Sequence, residues 1–458
     1  MVVTSAGQVS AFPFTNLLNL AITNGTAPYA GLILAGSVLY GTAENYGGGP
    51  GGGSGTVFRI NPDGTGFTNL HAFSGSSDGG QVYAGLVLAG NILYGAAYSG
   101  GKFNSGTIFA LNTNGTGFTN LYHFSAGATS LPYTNSDGAY PSAALILSGN
   151  TLFGTTTTGG TYGQGTVFRL NTNGTAFTNL YSFSALNPST STNTDGAVPY
   201  SGLVISGSTL FGAAYEGGFS GCGSIFSLNT DGSGFTNLFN FNGGDGTGPY
   251  ASLILSGNTL FGAALYGGSG EAGTLFRLNT NGSSFTNLHV FSSTSGANST
   301  NTDGATPYAA LTLADNTLYG PTGAGGASGN GTLFQVNTDG TGFTTLYNFT
   351  ALNTNTSTNT DGAVPRGSIL LSGDILFGTA NTGGNSDGGT LFGFYLPPPL
   401  TITRSAAGVV LSWPANSAGF VLQSAPTATG IYSNIPGASS PYTNPITASP
   451  QFFRLTHP

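Results

Sequence analysis

The sequence predicts an all-β fold: seven four-stranded units closed into a ring, followed by a small β-sandwich-like domain at the C-terminus. Three observations predict it. The tripeptide Leu-(Phe/Tyr)-Gly recurs at Leu39, Leu93, Leu152, Leu210, Leu260, Leu318 and Leu376, seven copies 50 to 59 residues apart, a period that marks repeat architectures. Each copy holds four short runs of β-branched and aromatic residues, punctuated by Gly, Asn-Gly or Asp-Gly, with no helical period between them. The chain ends are complementary: PFTNLLNL (13–20) is a fourth strand with no first three before it, whereas the seventh copy has three strands (368–372, 375–379 and 389–395) and no fourth.

Within one copy the strands follow in order A to D. YASLILS (250–256) and NTLFGAA (258–264) are joined by a tight turn at Gly257, GTLFRLN (273–279) follows a Gly-rich loop, and SFTNLHVF (284–291) follows a Thr-Asn-Gly turn. In TIFALNTNGTGFTNLYHF (107–124), NTNGT is the C-to-D hairpin, where Gly115 supplies a positive φ and Asn114 tolerates one. A four-stranded antiparallel unit cannot cover both its apolar faces, so identical units stack. Radial stacking closes them into a seven-bladed β-propeller with short, protected edges. An open β-solenoid has no need of complementary ends. The predicted domains are therefore a propeller over 1–395, with the N-terminal strand completing the last blade, a Pro-rich linker LPPPL over 396–400, and a sandwich module over 401–458 with Trp413 as its core anchor.

The unit SGNTLFGTTTTGGTYGQGTVFRLNTNGTAFTNLYSF (148–183) resembles the GloVer-type tandem repeat of exported bacterial proteins, over roughly residues 11 to 395. The resemblance implies a surface or secreted protein and no established reaction, so no catalytic residue carries over. The tail, alternating with period two in LTITRSAAG and VVLSWPA, resembles fibronectin-III-like terminal modules. Its expected role is a spacer or docking module, with carbohydrate binding as the alternative.

Composition narrows the partners. The net charge is −8, only 5% of the 458 residues are charged and Lys102 is the single lysine, so no basic patch exists for phosphates or an anionic membrane. Nucleic-acid binding and membrane insertion are not expected. No run approaches the roughly 20 apolar residues of a spanning helix. The lone Cys222 excludes an internal disulfide and a thiolate zinc cage. MVVTSAGQVSAF lacks the basic and apolar regions of a signal peptide; the expectation is an exported chain, secreted or at the cell surface, whose signal has been removed.

Candidate functional residues gather on the face where B-to-C and D-to-A loops open. The three glutamates, Glu44, Glu216 and Glu271, fall in B-to-C loops with Asp387 and Lys102, while Asp78, Asp137, Asp195, Asp245, Asp303 and Asp361 fall in D-to-A loops. These aspartates sit in Asp-Gly pairs and read as Asx turns capping each blade junction; calcium binding is the alternative, although each copy offers one carboxylate where a calcium loop offers several. Strand A opens on Tyr29, Tyr83, Tyr200, Tyr250 and Tyr308, replaced by Ser142 and Arg366 in the other two copies. If strand A is innermost, these rings crowd the channel mouth, either as packing between blades or as a stacking platform for sugar rings, with Arg366 as an anion or hydroxyl partner. Tyr46, Tyr98, Phe103, Tyr162, Tyr215, Phe219 and Tyr266 add aromatics in the variable loops; of these, Tyr46, Tyr215 and Tyr266 join Glu44 and Lys102 as candidate ligand contacts. The expected partner is a glycan or cell-surface component, bound without catalysis or cofactor. Self-assembly into a layer or filament is a second reading, and a carbohydrate-active enzyme using Glu216 and Glu271 a third. His71, His123 and His289 lie on the outer strand D, away from any such chemistry.

Overall fold

The computed structural model describes residues 14–47, 53–128, 133–396, 398, 400–405, 408–413, 420–427, 431–444 and 451–456. Every regular element among them is a β-strand. The chain divides into two compact units, one of Asn16–Leu370 with Phe377–Phe392, the other of Met1–Thr15, Leu371–Leu376 and Gly393–Pro458.

Seven four-stranded sheets are present among the described residues. The first runs Ile33–Ala35, Val38–Ala43, Thr56–Ile60 and Thr68–Ala72, each strand antiparallel to the next. Five more repeat this meander. In the seventh, Phe14–Asn19 lies beside Thr390–Tyr395, followed by Ile375–Ala380 and Leu370–Ser372, so the N-terminal strand takes the vacant outer place. The Leu20 amide donates to the Gly389 carbonyl at 2.9 Å, and Leu20 is fully buried.

Adjacent sheets share apolar cores, from first with second through fifth with sixth. Thr312 Oγ1 donates to the Ile369 carbonyl, joining sixth to seventh; Thr379 Oγ1 donates to the Ala30 carbonyl at 3.1 Å, joining seventh to first. The sheets thus close a cycle. The repeated tripeptide has a steric cause: a Cβ on Gly212 would lie 2.5 Å from Cζ of Phe226, a strand-C ring with no exposure. Glycine in strand B lets that ring lie flat on it.

Strand A is shorter than the sequence suggests, Ile254–Ser256 rather than 250–256. The preceding residues make no ladder to their own strand B: Ser201 reaches Ala213 there only through its side chain, and other bonds run sideways. Gly202 N donates to Ser252 Oγ at 2.8 Å and Thr155 Oγ1 to the Ser201 carbonyl at 2.9 Å, each across to a neighbouring sheet. The C-to-D hairpin matches expectation, with Gly115 at φ +86° and Asn114 Oδ1 accepting from the Thr116 amide at 3.0 Å. In the other unit, two three-stranded sheets are built from six strands between Thr401 and Thr456. Leu411, Leu422 and Leu455 form their common core, with Trp413 packed against it.

Candidate functional site

Each D-to-A loop is bridged to the B-to-C loop of its own sheet, as in Thr26 with Asn45, Ala197 with Glu216 and Ala363 with Thr382. Both loop sets therefore open on one face. The residues just before strand A line the axis. All seven positions, Tyr29, Tyr83, Ser142, Tyr200, Tyr250, Tyr308 and Arg366, line one depression of about 420 Å³. The B-to-C loops add Glu44, Tyr98, Tyr215 and Tyr266 to its wall. A narrower space of about 120 Å³ shares the seven and is otherwise lined by Ala, Gly and Ser.

The rings form an edge-to-face network. Tyr29 meets Tyr83 at 5.4 Å, Tyr83 meets Tyr98 at 5.1 Å and Tyr250 meets Tyr308 at 5.6 Å, all near perpendicular, while Tyr200 stacks on Tyr250 at 4.8 Å. Tyr29 and Tyr250, from the first and fifth sheets, share a hydrogen bond of 3.0 Å across the axis. The Arg366 guanidinium lies over the faces of Tyr308 and Tyr29, 4.6 and 5.2 Å from their centroids. Burial pushes up the pKa of Glu44, against the Tyr83 and Asn45 side chains beside it, which lower it. Burial also raises Tyr29, Tyr83, Tyr200 and Tyr250, and together with the Tyr308 hydroxyl it pushes Tyr266 up to about 12. The phenols therefore stay protonated near neutral pH, and the wall presents neutral O–H groups with one cation and one carboxyl group.

Other predicted residues are not brought into this site. Tyr46 is 43% exposed at φ +58° and Lys102 is exposed with its Nζ 5.1 Å from the Phe103 ring; neither lines the depression. Glu216 is half-buried beside Tyr215, and Glu271 is exposed at φ +53°. Neither lines it, so Glu44 is the single carboxylate in its wall. Tyr98 lines it too, occupying in the second repeat the place of Tyr215 in the fourth; superposing the repeats finds it.

The aspartates serve the sheet junctions, although not as turns onto their own following backbone. Asp195 Oδ2 accepts from the Tyr181 hydroxyl at 2.7 Å and the Ser184 amide at 2.9 Å, and Oδ1 accepts from Ser184 Oγ. Asp137 and Asp361 repeat this with Tyr122 and Tyr347, Asp78 and Asp303 with His71 and His289. The same strand-D ring stacks on the hairpin Phe of the next sheet, Tyr181 on Phe235 at 3.9 Å and His289 on Phe343 at 3.6 Å. Those histidines are junction residues, not loose edge groups. In the fourth sheet Phe239 holds that place without a donor, and burial raises the pKa of its Asp245. In three sheets the strand-D donor precedes its Asp by 14 residues, as Tyr181 precedes Asp195, a spacing that the sequence carried. Among the described residues no group of three His, Cys, Asp or Glu stands together as a metal site, and no helix is long and apolar enough to cross a membrane.

A closed cycle of four-stranded sheets with a side-chain-lined axial depression defines a β-propeller of tandem repeats. The Gloeobacter/Verrucomicrobia repeat matches residues 7–136 and 128–302, and the chain belongs to that family. The match does not reach the C-terminal sheets. Among solved structures the chain is similar to the GH74 xyloglucanase from Xanthomonas campestris, at 12% identity and TM-score 0.50 over 88% of this chain and 59% of that one. It is also similar to an oligogalacturonate lyase in complex with manganese, at 11% identity and TM-score 0.50 over 87% of this chain and 97% of that one. These likenesses are of fold. No curated protein sequence matches it.

Proposed function

We propose that this chain is a secreted or cell-surface protein that binds a glycan, without transforming it, in the tyrosine-lined depression. The observation that carries this reading is the convergence of all seven strand-A starting positions, five of them tyrosine, on one space of about 420 Å³. Sugar rings present C–H faces and hydroxyls, and half-buried phenols offer both a π surface and O–H groups. A composition with 5% charged residues and one lysine supports an extracellular setting. Retention of the full chain on a glycan array tests the reading, with Tyr250→Ala and Tyr308→Ala each expected to weaken it at least tenfold. Absence of retention on any glycan refutes it. A catalysed cleavage abolished by Glu216→Gln or Glu271→Gln replaces it with the enzymatic reading.

Self-association is favoured by a separate observation: Phe103, Tyr162 and Phe219, on B-to-C loops of three consecutive sheets, are 44%, 46% and 67% exposed. Sedimentation velocity at rising concentration checks it; one invariant species refutes it.

A further inference from the structure

We propose that Arg366 makes this a site for an acidic glycan, one whose sugar bears a carboxylate, rather than for a neutral chain. This rests on the glycan-binding reading above and names the class of sugar.

Arg366 is the one cation among the seven axial positions, and its charge is left incompletely compensated. Among the described residues the ion pairs within 4.0 Å all involve histidine, so Arg366 has no carboxylate partner. Glu44, the one acid in the wall, interacts with Arg366 only as a charge at longer range and lies beside the Tyr83 hydroxyl. What the guanidinium has is the faces of Tyr29 and Tyr308. A ring face is worth about 0.5–2 kcal/mol to a cation, less than a bidentate carboxylate provides in a site shielded from water. Arg366 Nε is sealed from solvent with no hydrogen-bond acceptor, so this end of the group has exchanged water for nothing. The outer part of the side chain lines the depression, where an incoming carboxylate meets it. Ser142, the other departure from tyrosine, likewise keeps a buried Oγ with no partner in the same wall.

The geometry also argues against a neutral ligand as the better fit. Tyrosine at position 366 would extend the aromatic series to six of seven, and a neutral glycan gains nothing from a half-buried cation in its place. Glu44 opposes an anion and its charge is felt at Arg366, but among the described residues the two form no ion pair within 4.0 Å, so no carboxylate occupies the guanidinium directly.

Calorimetric titration of the full chain with a hexuronic acid tetramer, and with the same tetramer as its methyl ester, tests the assignment. The acid is expected to bind at least tenfold more tightly than the ester at low salt, with the ratio shrinking at 0.5 M salt. In Arg366→Gln and Arg366→Tyr, each checked for an unchanged far-ultraviolet spectrum and melting point, the ratio of the two affinities is expected to collapse to about one. Equal affinities in the unmodified chain, or a preference that survives both substitutions, overturns the role of Arg366 and leaves glycan binding standing. If neither tetramer binds, while other glycans are retained on the array, the acidic-sugar assignment fails; if nothing is retained, the binding reading fails with it.

Discussion

Tyr181→Phe isolates the bond that ties a strand-D ring to its loop aspartate. Asp195 is 3% exposed and accepts from three donors, the Tyr181 hydroxyl at 2.7 Å, the Ser184 amide at 2.9 Å and the Ser184 hydroxyl. Removing the phenol oxygen keeps the ring on Phe235, 3.9 Å away at 4°, and leaves a buried carboxylate one donor short. Bonds to charged groups contribute about 1.5–3 kcal/mol each, so the expected loss is about 2 kcal/mol. Asp195→Ala strands two donors and the serine hydroxyl; since some of them regain water, about 3 kcal/mol is expected. The double variant should cost less than the sum, with a coupling of about 1–2 kcal/mol. Urea denaturation followed by tyrosine fluorescence reads these as shifts in midpoint at constant slope. A loss below about 0.5 kcal/mol for Tyr181→Phe refutes the reasoning. It would show the aspartate to be solvated through its serine partners alone, as the fourth sheet, with Phe239 at the equivalent place, manages without the bond.

Burial holds the His71 pKa below its ordinary value despite the Asp78 bond. The folded state thus binds fewer protons than the unfolded chain, so this group's stabilisation is complete above about pH 6.5 and is lost as pH falls below it. His71→Tyr, the residue used at Tyr122, Tyr181 and Tyr347, should flatten the fall in melting temperature between pH 7 and 5; an unchanged slope refutes the assignment. Asp303, whose pKa is lowered by its bonds to His289 and Ser292 against the burial that raises it, adds a second loss below about pH 4. Gly212→Ala should cost about 1–3 kcal/mol by overpacking against Phe226, with Phe226→Leu restoring part of it in the double variant; additivity would refute the contact. Deleting residues 1–20 removes the outer strand of the seventh sheet and should lower the melting temperature and cause aggregation through the freed edge of Thr390–Tyr395. Unchanged melting excludes closure by that strand.

The architecture was legible because its causes are local and repeated. Seven Leu-(Phe/Tyr)-Gly tripeptides record one steric contact between strands B and C, and the orphan strand at 13–20 has a matching gap at the other end. The axial tyrosines were legible as a series once strand A was taken as innermost. What was not legible depends on distance in space. Tyr46 and Tyr266 look alike as loop aromatics beside Gly-rich runs, yet only Tyr266 turns to the wall, where it meets Tyr308. Glu216 and Glu271 look like a pair from adjacent repeats, but neither lines the axial depression. The aspartate bonds were missed because, outside the short loop from Ser74 to Asp78, each joins the end of a strand to a loop 11 or more residues later, as from Ser184 to Asp195.

The departures from the repeat carry different meanings, and bonding separates them. Where Phe239 replaces a strand-D donor, the ring still stacks on Phe285 at 3.9 Å and the lost bond is confined to one aspartate. That change is structural drift, absorbed by packing. Where Ser142 and Arg366 replace axial tyrosines, polar atoms are left buried and unmatched, Oγ in one and Nε in the other. Folding alone disfavours such atoms by about 1–3 kcal/mol each, while a tyrosine at either place would extend a series already built five times. A cation under that cost, at the axis where the seven sheets meet, is the feature that the proposed binding of an acidic sugar would account for.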